Sequence, residues 1–146
     1  MKKVFLDANV YFSGCVSEQG ASCLILELAR RERIKLAASR LVLLEAERNL
    51  RHKSSKAVLK NFHRFLHQTK IQIIPTPKEE LQSLYEPLIH PKDLPVLVAA
   101  IESKADFLIT LDRRHFLTSK ILFKIKWIHI MTPGDFLKEI YLKGKA

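Results

Sequence analysis

Phe107-Leu108-Ile109-Thr110-Leu111-Asp112 reads as a short buried strand that ends on a bare carboxylate. Its branched and aromatic side chains follow one another without polar alternation, the pattern of a strand covered on both faces. The chain opens on the same pattern, with Lys2-Lys3-Val4-Phe5-Leu6 running into Asp7. A carboxylate at the carboxyl end of a parallel strand lies where open α/β sheets build their sites. In a doubly wound sheet these two strands are neighbours near the switch point, so both carboxylates reach one crevice.

Working outward, the rest of the chain alternates strands with helices. Strands are expected at Val4–Leu6, Ile34–Ala38, Ile71–Ile74, Phe107–Leu111 and Trp127–Ile130, with Pro75 ending the third. A helix is expected over Ser22–Arg31. Ser39 is placed as the N-cap of another, from Leu41 to about His52. Ser54 or Ser55 opens an amphipathic helix that carries Val58, Leu59, Phe62, Phe65 and Leu66 on one face. Thr76-Pro77-Lys78-Glu79 has the form of a capping box with proline at the first helical position. Pro87 and Pro91 bracket a loop before a helix from Leu94 to about Lys104. Thr132-Pro133-Gly134-Asp135 starts the last helix. This order predicts a three-layer α/β/α sandwich with a mostly parallel five-stranded sheet. One domain over residues 1–142 is expected, followed by a frayed tail at 143–146.

Charge narrows the class of partner. Lys and Arg number 25 against 15 Asp and Glu, a net charge of +10. That excess favours nucleic acid or another anionic surface. Cys15 and Cys23 lack metal-ligand spacing and read as idle thiols in a reducing cytoplasm. The apolar run after Met-Lys-Lys is too short for a signal peptide, and Leu94–Ile101 is too short and proline-broken for a membrane span. A soluble cytoplasmic protein with no membrane partner is expected.

Four acids stand out: Asp7, Asp112, Asp93 and Glu45. Strand parity puts Thr110 on the same face as Asp112, within hydrogen-bonding reach. Asn9, two residues past Asp7, is a candidate for orienting it or a water. Asp93 precedes a helix and has an N-cap as its plain structural reading. Glu45 sits among Leu41, Val42, Leu43 and Leu44, with Arg48 as a simple i+3 partner. Glu47 rivals it, and helical spacing does not choose between them. Converging carboxylates repel one another unless a divalent ion neutralises them, and oxygen-only ligands suit Mg²⁺ or Mn²⁺.

Other chemistries fit less well. The chain has only four glycines, with no phosphate-binding loop, no dinucleotide fingerprint and no nucleophile elbow. His63 and His67 lie four apart, but on the polar side of their helix. An aspartyl phosphatase would need an acid two residues after Asp7, where Asn9 stands.

The ordered fragments resemble the PIN-domain ribonucleases, particularly the small prokaryotic toxins of VapBC-like toxin–antitoxin pairs. They are Phe5-Leu6-Asp7-Ala8-Asn9-Val10; Ser39 with Glu45 and Leu50; Asp93-Leu94-Pro95-Val96-Leu97-Val98-Ala99-Ala100; Ala105-Asp106-Phe107-Leu108-Ile109-Thr110-Leu111-Asp112 followed by His115-Phe116; and Thr132-Pro133-Gly134-Asp135-Phe136-Leu137. The resemblance implies a Mg²⁺ or Mn²⁺ site and cleavage of single-stranded RNA. Asp7, Glu45, Asp93 and Asp112 match the family's acidic quartet, and the spacings to Ser39 and Leu50 favour Glu45 over Glu47. Asn9 and Thr110 match its supporting positions. Many relatives carry a further acid shortly after the position of Asp112. This chain has Arg113-Arg114-His115 there, which leaves fewer ligands for a second ion and offers the three residues as phosphate contacts. An antitoxin partner and a homodimer are implied as well. The rival reading is a non-catalytic RNA- or partner-binding module that keeps the fold.

Overall fold

Val4, Phe5 and Leu6 are fully excluded from solvent, because their strand has a parallel neighbour on each side and helices over its faces. The computed structural model describes residues 1–142. The strands are β1 (Lys3–Leu6), β2 (Lys35–Ser39), β3 (Ile71–Ile74), β4 (Phe107–Ile109) and β5 (His129–Met131). They form one sheet in the order β3-β2-β1-β4-β5, with every adjacent pair parallel. In the β1–β4 pair Val4 faces Phe107, Phe5 faces Leu108 and Leu6 faces Ile109. The chain thus winds one way from β1 to β3 and the other way from β4 to β5, and the switch point lies between β1 and β4.

The helices are α1 (Ala8–Val16), α2 (Ala21–Arg30), α3 (Arg40–Lys53), α4 (Lys56–Gln68), α5 (Glu79–Ser83), α6 (Leu94–Glu102), α7 (Arg113–Phe116), α8 (Ser119–Lys124) and α9 (Pro133–Asp135), which continues as a π-helix over Phe136–Leu142. Helix α1 touches α2, α3 and α4, while α6 packs on β2 with α5 beside it. The expected α/β/α sandwich is the one found.

Local chemistry explains most boundaries. Ser39 Oγ accepts from the Val42 amide at 3.2 Å and opens α3. Ser55, not Ser54, caps α4 through the Val58 amide at 3.2 Å, and the Ser54 hydroxyl donates back to the Leu50 carbonyl at 2.6 Å. Thr132 accepts from the Asp135 amide and opens α9 as expected. Phe62 and Phe65 of α4 are buried, where they meet Tyr11 edge-on at 6.1 and 6.3 Å between ring centroids. Gly14 lets α1 and α2 close on each other, since a Cβ there would lie 2.5 Å from Leu26 Cδ1.

Four expectations need correction. Helix α1 was not anticipated. The Thr76–Glu79 capping box does not form: the chain stays extended to Lys78, α5 begins at Glu79, and Pro77 is bonded through its carbonyl by the Gln82 amide group. The loop bracketed by Pro87 and Pro91 contains a 3₁₀ turn at Glu86–Leu88. Strand β4 stops at Ile109 and β5 starts at His129, both shorter than the apolar runs, and Leu111 and Trp127 outside them are solvent-exposed. The tail at 143–146 lies outside the described residues. Among the described residues no helix is long and apolar enough to cross a membrane.

Candidate metal centre

Asp7 ends β1 and is only 7% exposed. Its amide donates to the Ile109 carbonyl, which continues the β1–β4 pairing by one residue. Both carboxylate oxygens are engaged. Oδ1 accepts from the Ala8 amide at 2.8 Å, which makes Asp7 the cap of α1. Oδ2 accepts from the Thr110 hydroxyl at 2.8 Å and from Asn9 Nδ2 at 3.3 Å. Burial nonetheless pushes the Asp7 carboxyl up from 3.8 to about 6; the Thr110 and Ala8 hydrogen bonds oppose this, and the nearby Glu45 and Asp93 charges add to it.

Thr110 and Asn9 tie the two strand ends together. The Thr110 amide donates to the Met131 carbonyl, while its hydroxyl accepts from the Asp112 amide at 3.0 Å. Asn9 Oδ1 accepts from the Leu111 amide at 3.1 Å. The turn between β4 and α7 is therefore held against the start of α1. Asp112 caps α7, its Oδ1 accepting from the His115 amide at 3.0 Å. That turn brings the His115 ring back over the carboxylates.

Asp93 comes from the other side of the cleft, at the start of α6. It occupies the cap position but makes no side-chain capping bond, so the plain structural reading does not account for it. His115 Nδ1 lies 2.8 Å from Asp93 Oδ2 and 3.1 Å from Asp112 Oδ2, an ion pair when the ring is protonated. The contact lacks hydrogen-bond alignment, and the buried Oδ2 of Asp93 is left without a donor. His90 stacks on the far face of the His115 ring at 5.2 Å between centroids.

Glu45 and Glu47 part company. Glu47 pairs with Arg51 at 3.2 Å and with His63 Nε2 at 2.9 Å, which also takes His63 out of the simply solvated class. Glu45 has no ion pair among the described residues, to Arg48 or to any other cation. It lines a cleft of about 190 Å³ together with Asp7, Asn9, Asp93, Asp112 and His115. Arg113 and Arg114 are exposed and lie outside that lining. Asn49 and Lys92 line it and were missed. Asn49 follows Glu45 by one helical turn, a signal that reads only once Glu45 is chosen. Lys92 is the only cation in the lining besides a protonated His115. A larger cleft of about 730 Å³, lined by Ile74, Pro77, Leu81 and Leu84, lies beyond β3 and is mainly apolar.

The donor set suits a divalent cation. One ligand atom each from Asp93, Asp112 and His115 lies within 4.8 Å of the others, and the buried Asp93 Oδ2 accepts no aligned hydrogen bond among the described residues. Two carboxylates beside one imidazole nitrogen match hard or borderline ions.

The PIN domain family matches residues 3–114. No curated protein sequence matches the chain. Solved structures similar in fold include VapBC2 from Rickettsia felis bound to a DNA fragment from their promoter, at 18% identity and a TM-score of 0.61 over 89% of this chain and 98% of that one. PAE2754 from Pyrobaculum aerophilum aligns over 97% of this chain and 90% of its own, at 18% identity and a TM-score of 0.63. FitAB bound to the IR36 DNA fragment aligns over 89% and 94%, at 16% identity and a TM-score of 0.59. With the family pattern running from the first strand through Asp112, and its fold and acid-lined cleft in place, this chain belongs to the PIN-domain family.

Proposed function

We propose that the protein is a divalent-metal-dependent endoribonuclease that hydrolyses single-stranded RNA and acts as the toxin of a toxin–antitoxin pair in the cytoplasm. One observation carries the reading: Asp7, Glu45, Asp93 and Asp112 line one cleft, with no buried Lys or Arg among the described residues to neutralise them. In this reading Asp7, Asp93 and Asp112 hold Mg²⁺ or Mn²⁺ directly, and Glu45 does so directly or through water. The ion supplies charge neutralisation at the phosphodiester and a bound water of lowered pKa.

The chain's own groups do the rest. Thr110 and Asn9 fix the Asp7 carboxylate by hydrogen bonds, so its oxygens enter the site already oriented. The Asp112 carboxylate is fixed by the α7 amide it caps. Lys92 sits at the rim of the cleft, where its ammonium can meet a phosphate, and Arg113 and Arg114 stand beyond the rim in the same role. Such contacts make binding salt-dependent. The VapBC2 and FitAB complexes among the similar folds support an antitoxin partner; a homodimer follows from the family resemblance alone.

The test is cleavage of a single-stranded RNA with Mn²⁺ by the wild-type chain and by Asp7→Asn and Asp112→Asn. Loss of cleavage in both, with circular dichroism unchanged, is the expected result. Full activity in both variants overturns the assignment. Calorimetric titration with Mn²⁺ separates the rival, since a non-catalytic binding module need not bind the ion at millimolar concentration.

A further inference from the structure

We infer that the exposed rings of Phe123 and Trp127 form a stacking platform for unpaired bases of single-stranded RNA, away from the acidic cleft and toward the opposite edge of the sheet. The inference rests on the reading of single-stranded RNA as substrate and adds to it a second contact surface. It starts from side chains that the fold leaves unused. In the connection from β4 to β5, Ile121, Ile125 and Ile128 turn into the core and are buried. Phe123 and Trp127 are 69% and 58% exposed, whereas Phe116 of the same connection is fully buried. Leu122 beside them is exposed as well.

Their surroundings are cationic. Lys124 Nζ lies 6.0 Å and Lys126 Nζ 5.1 Å from the centroid of the Phe123 ring. Between Asp112 and Asp135 the chain carries Arg113, Arg114, Lys120, Lys124 and Lys126 and no acid at all. None of these five forms an ion pair among the described residues. The connection leaves the carboxyl edge of the sheet at Asp112 and returns to the amino edge, where Trp127 precedes His129, the partner of Phe107; the two exposed rings flanked by lysines stand at that far end.

That combination selects the occupant. Flat rings take the faces of unpaired bases, and lysines spaced beside them take the phosphates; each stacked base adds affinity with little sequence preference. A second copy of the chain is disfavoured, because a two-fold contact would set this all-positive segment against itself. An anionic membrane would meet the same charge, and it is the alternative that the vesicle measurement below tests.

Trp127 is the only tryptophan of the chain, so its fluorescence reports the platform directly. The full chain in EDTA is titrated with oligouridylate of about 12 nucleotides, within the range of single-strand site sizes. Quenching of Trp127 is expected, whereas inorganic polyphosphate binds without quenching. Phe123→Ala and Trp127→Ala should each weaken oligouridylate binding by roughly five- to a hundredfold, and Trp127→Phe should keep it. Both rings are exposed, so neither change threatens the fold. Unchanged affinity in both alanine variants would overturn the platform in favour of charge alone. A blue shift of Trp127 on phosphatidylglycerol vesicles with no response to oligouridylate would overturn it in favour of a membrane. Failure of the nuclease reading shows separately, as absent metal-dependent cleavage with quenching intact.

Discussion

The Thr110 hydroxyl donates to Asp7 Oδ2 at 2.8 Å across the junction of two adjacent strands, and it accepts from the Asp112 amide at 3.0 Å. One small side chain thus holds the Asp7 carboxylate and the backbone of Asp112 together. Thr110→Val removes both bonds at nearly constant volume. It should lower Mn²⁺ affinity by about ten- to a hundredfold, as loss of an orienting partner does at metal sites. Thr110→Ser should restore most of it. Calorimetry on both variants checks the pair, and equal affinity in Val and Ser would contradict the role.

Asp7 ties stability to pH. Its proton is held to about pH 6 in the folded chain, against 3.8 for the ordinary carboxyl, because of burial. Below pH 4 the folded and unfolded forms are both protonated and the preference for the folded state is complete. It is lost as pH rises from about 4 through 6, since the fold must then hold a buried charge. Without metal, Asp7→Asn should therefore be more stable than wild type at pH 7 by on the order of 2–3 kcal/mol, the gap closing toward pH 4. Thermal melts in EDTA across that range measure it. Mn²⁺ affinity of the wild type should rise through the same window.

Glu45 and Glu47 make a matched pair on one helix. Glu45→Gln removes a carboxylate from the cleft and should weaken Mn²⁺ binding by tenfold or more while leaving the melting point nearly unchanged. Glu47→Gln should leave metal binding alone and cost about 0.5 kcal/mol through the half-exposed pairs to Arg51 and His63. Reversed outcomes would exchange their assignments.

Tyr11 is completely buried, and its hydroxyl has no hydrogen-bond partner among the described residues. Tyr11→Phe keeps the edge-on packing with Phe62 and Phe65 and drops an unsatisfied polar atom. It should be neutral or stabilising by up to about 1–2 kcal/mol, read from urea unfolding at pH 7.

The strand-end pair, Asp7 and Asp112, was legible from the residues because Val4–Leu6 of β1 and all of β4 are apolar, and the two strands are parallel neighbours. Glu45 was not, since helical spacing treats it and Glu47 alike. Only the packing of α4, which offers His63 to Glu47, separates them physically. Helix α1 was hidden because Ala8–Val16 mixes β-branched, aromatic and glycine residues with no clear apolar stripe, and its cap, Asp7, also read as a site acid. Thr76 shows the converse: a good capping pattern overridden by extended backbone. The clustering of His115 with Asp93 depends on a turn and a ring rotation that no spacing rule encodes.

A parallel sheet has one further effect on the acids at its carboxyl edge. Helices that follow the strands all begin there, and each helix start presents unpaired amides worth about half a positive charge. Asp7 and Asp112 each accept one of these amides, from Ala8 and His115. The polypeptide itself therefore damps part of the repulsion within the quartet. Assembly of this chain should accordingly precede loading: the metal would arrive at a finished vessel, rather than act as the nucleus around which the chain folds.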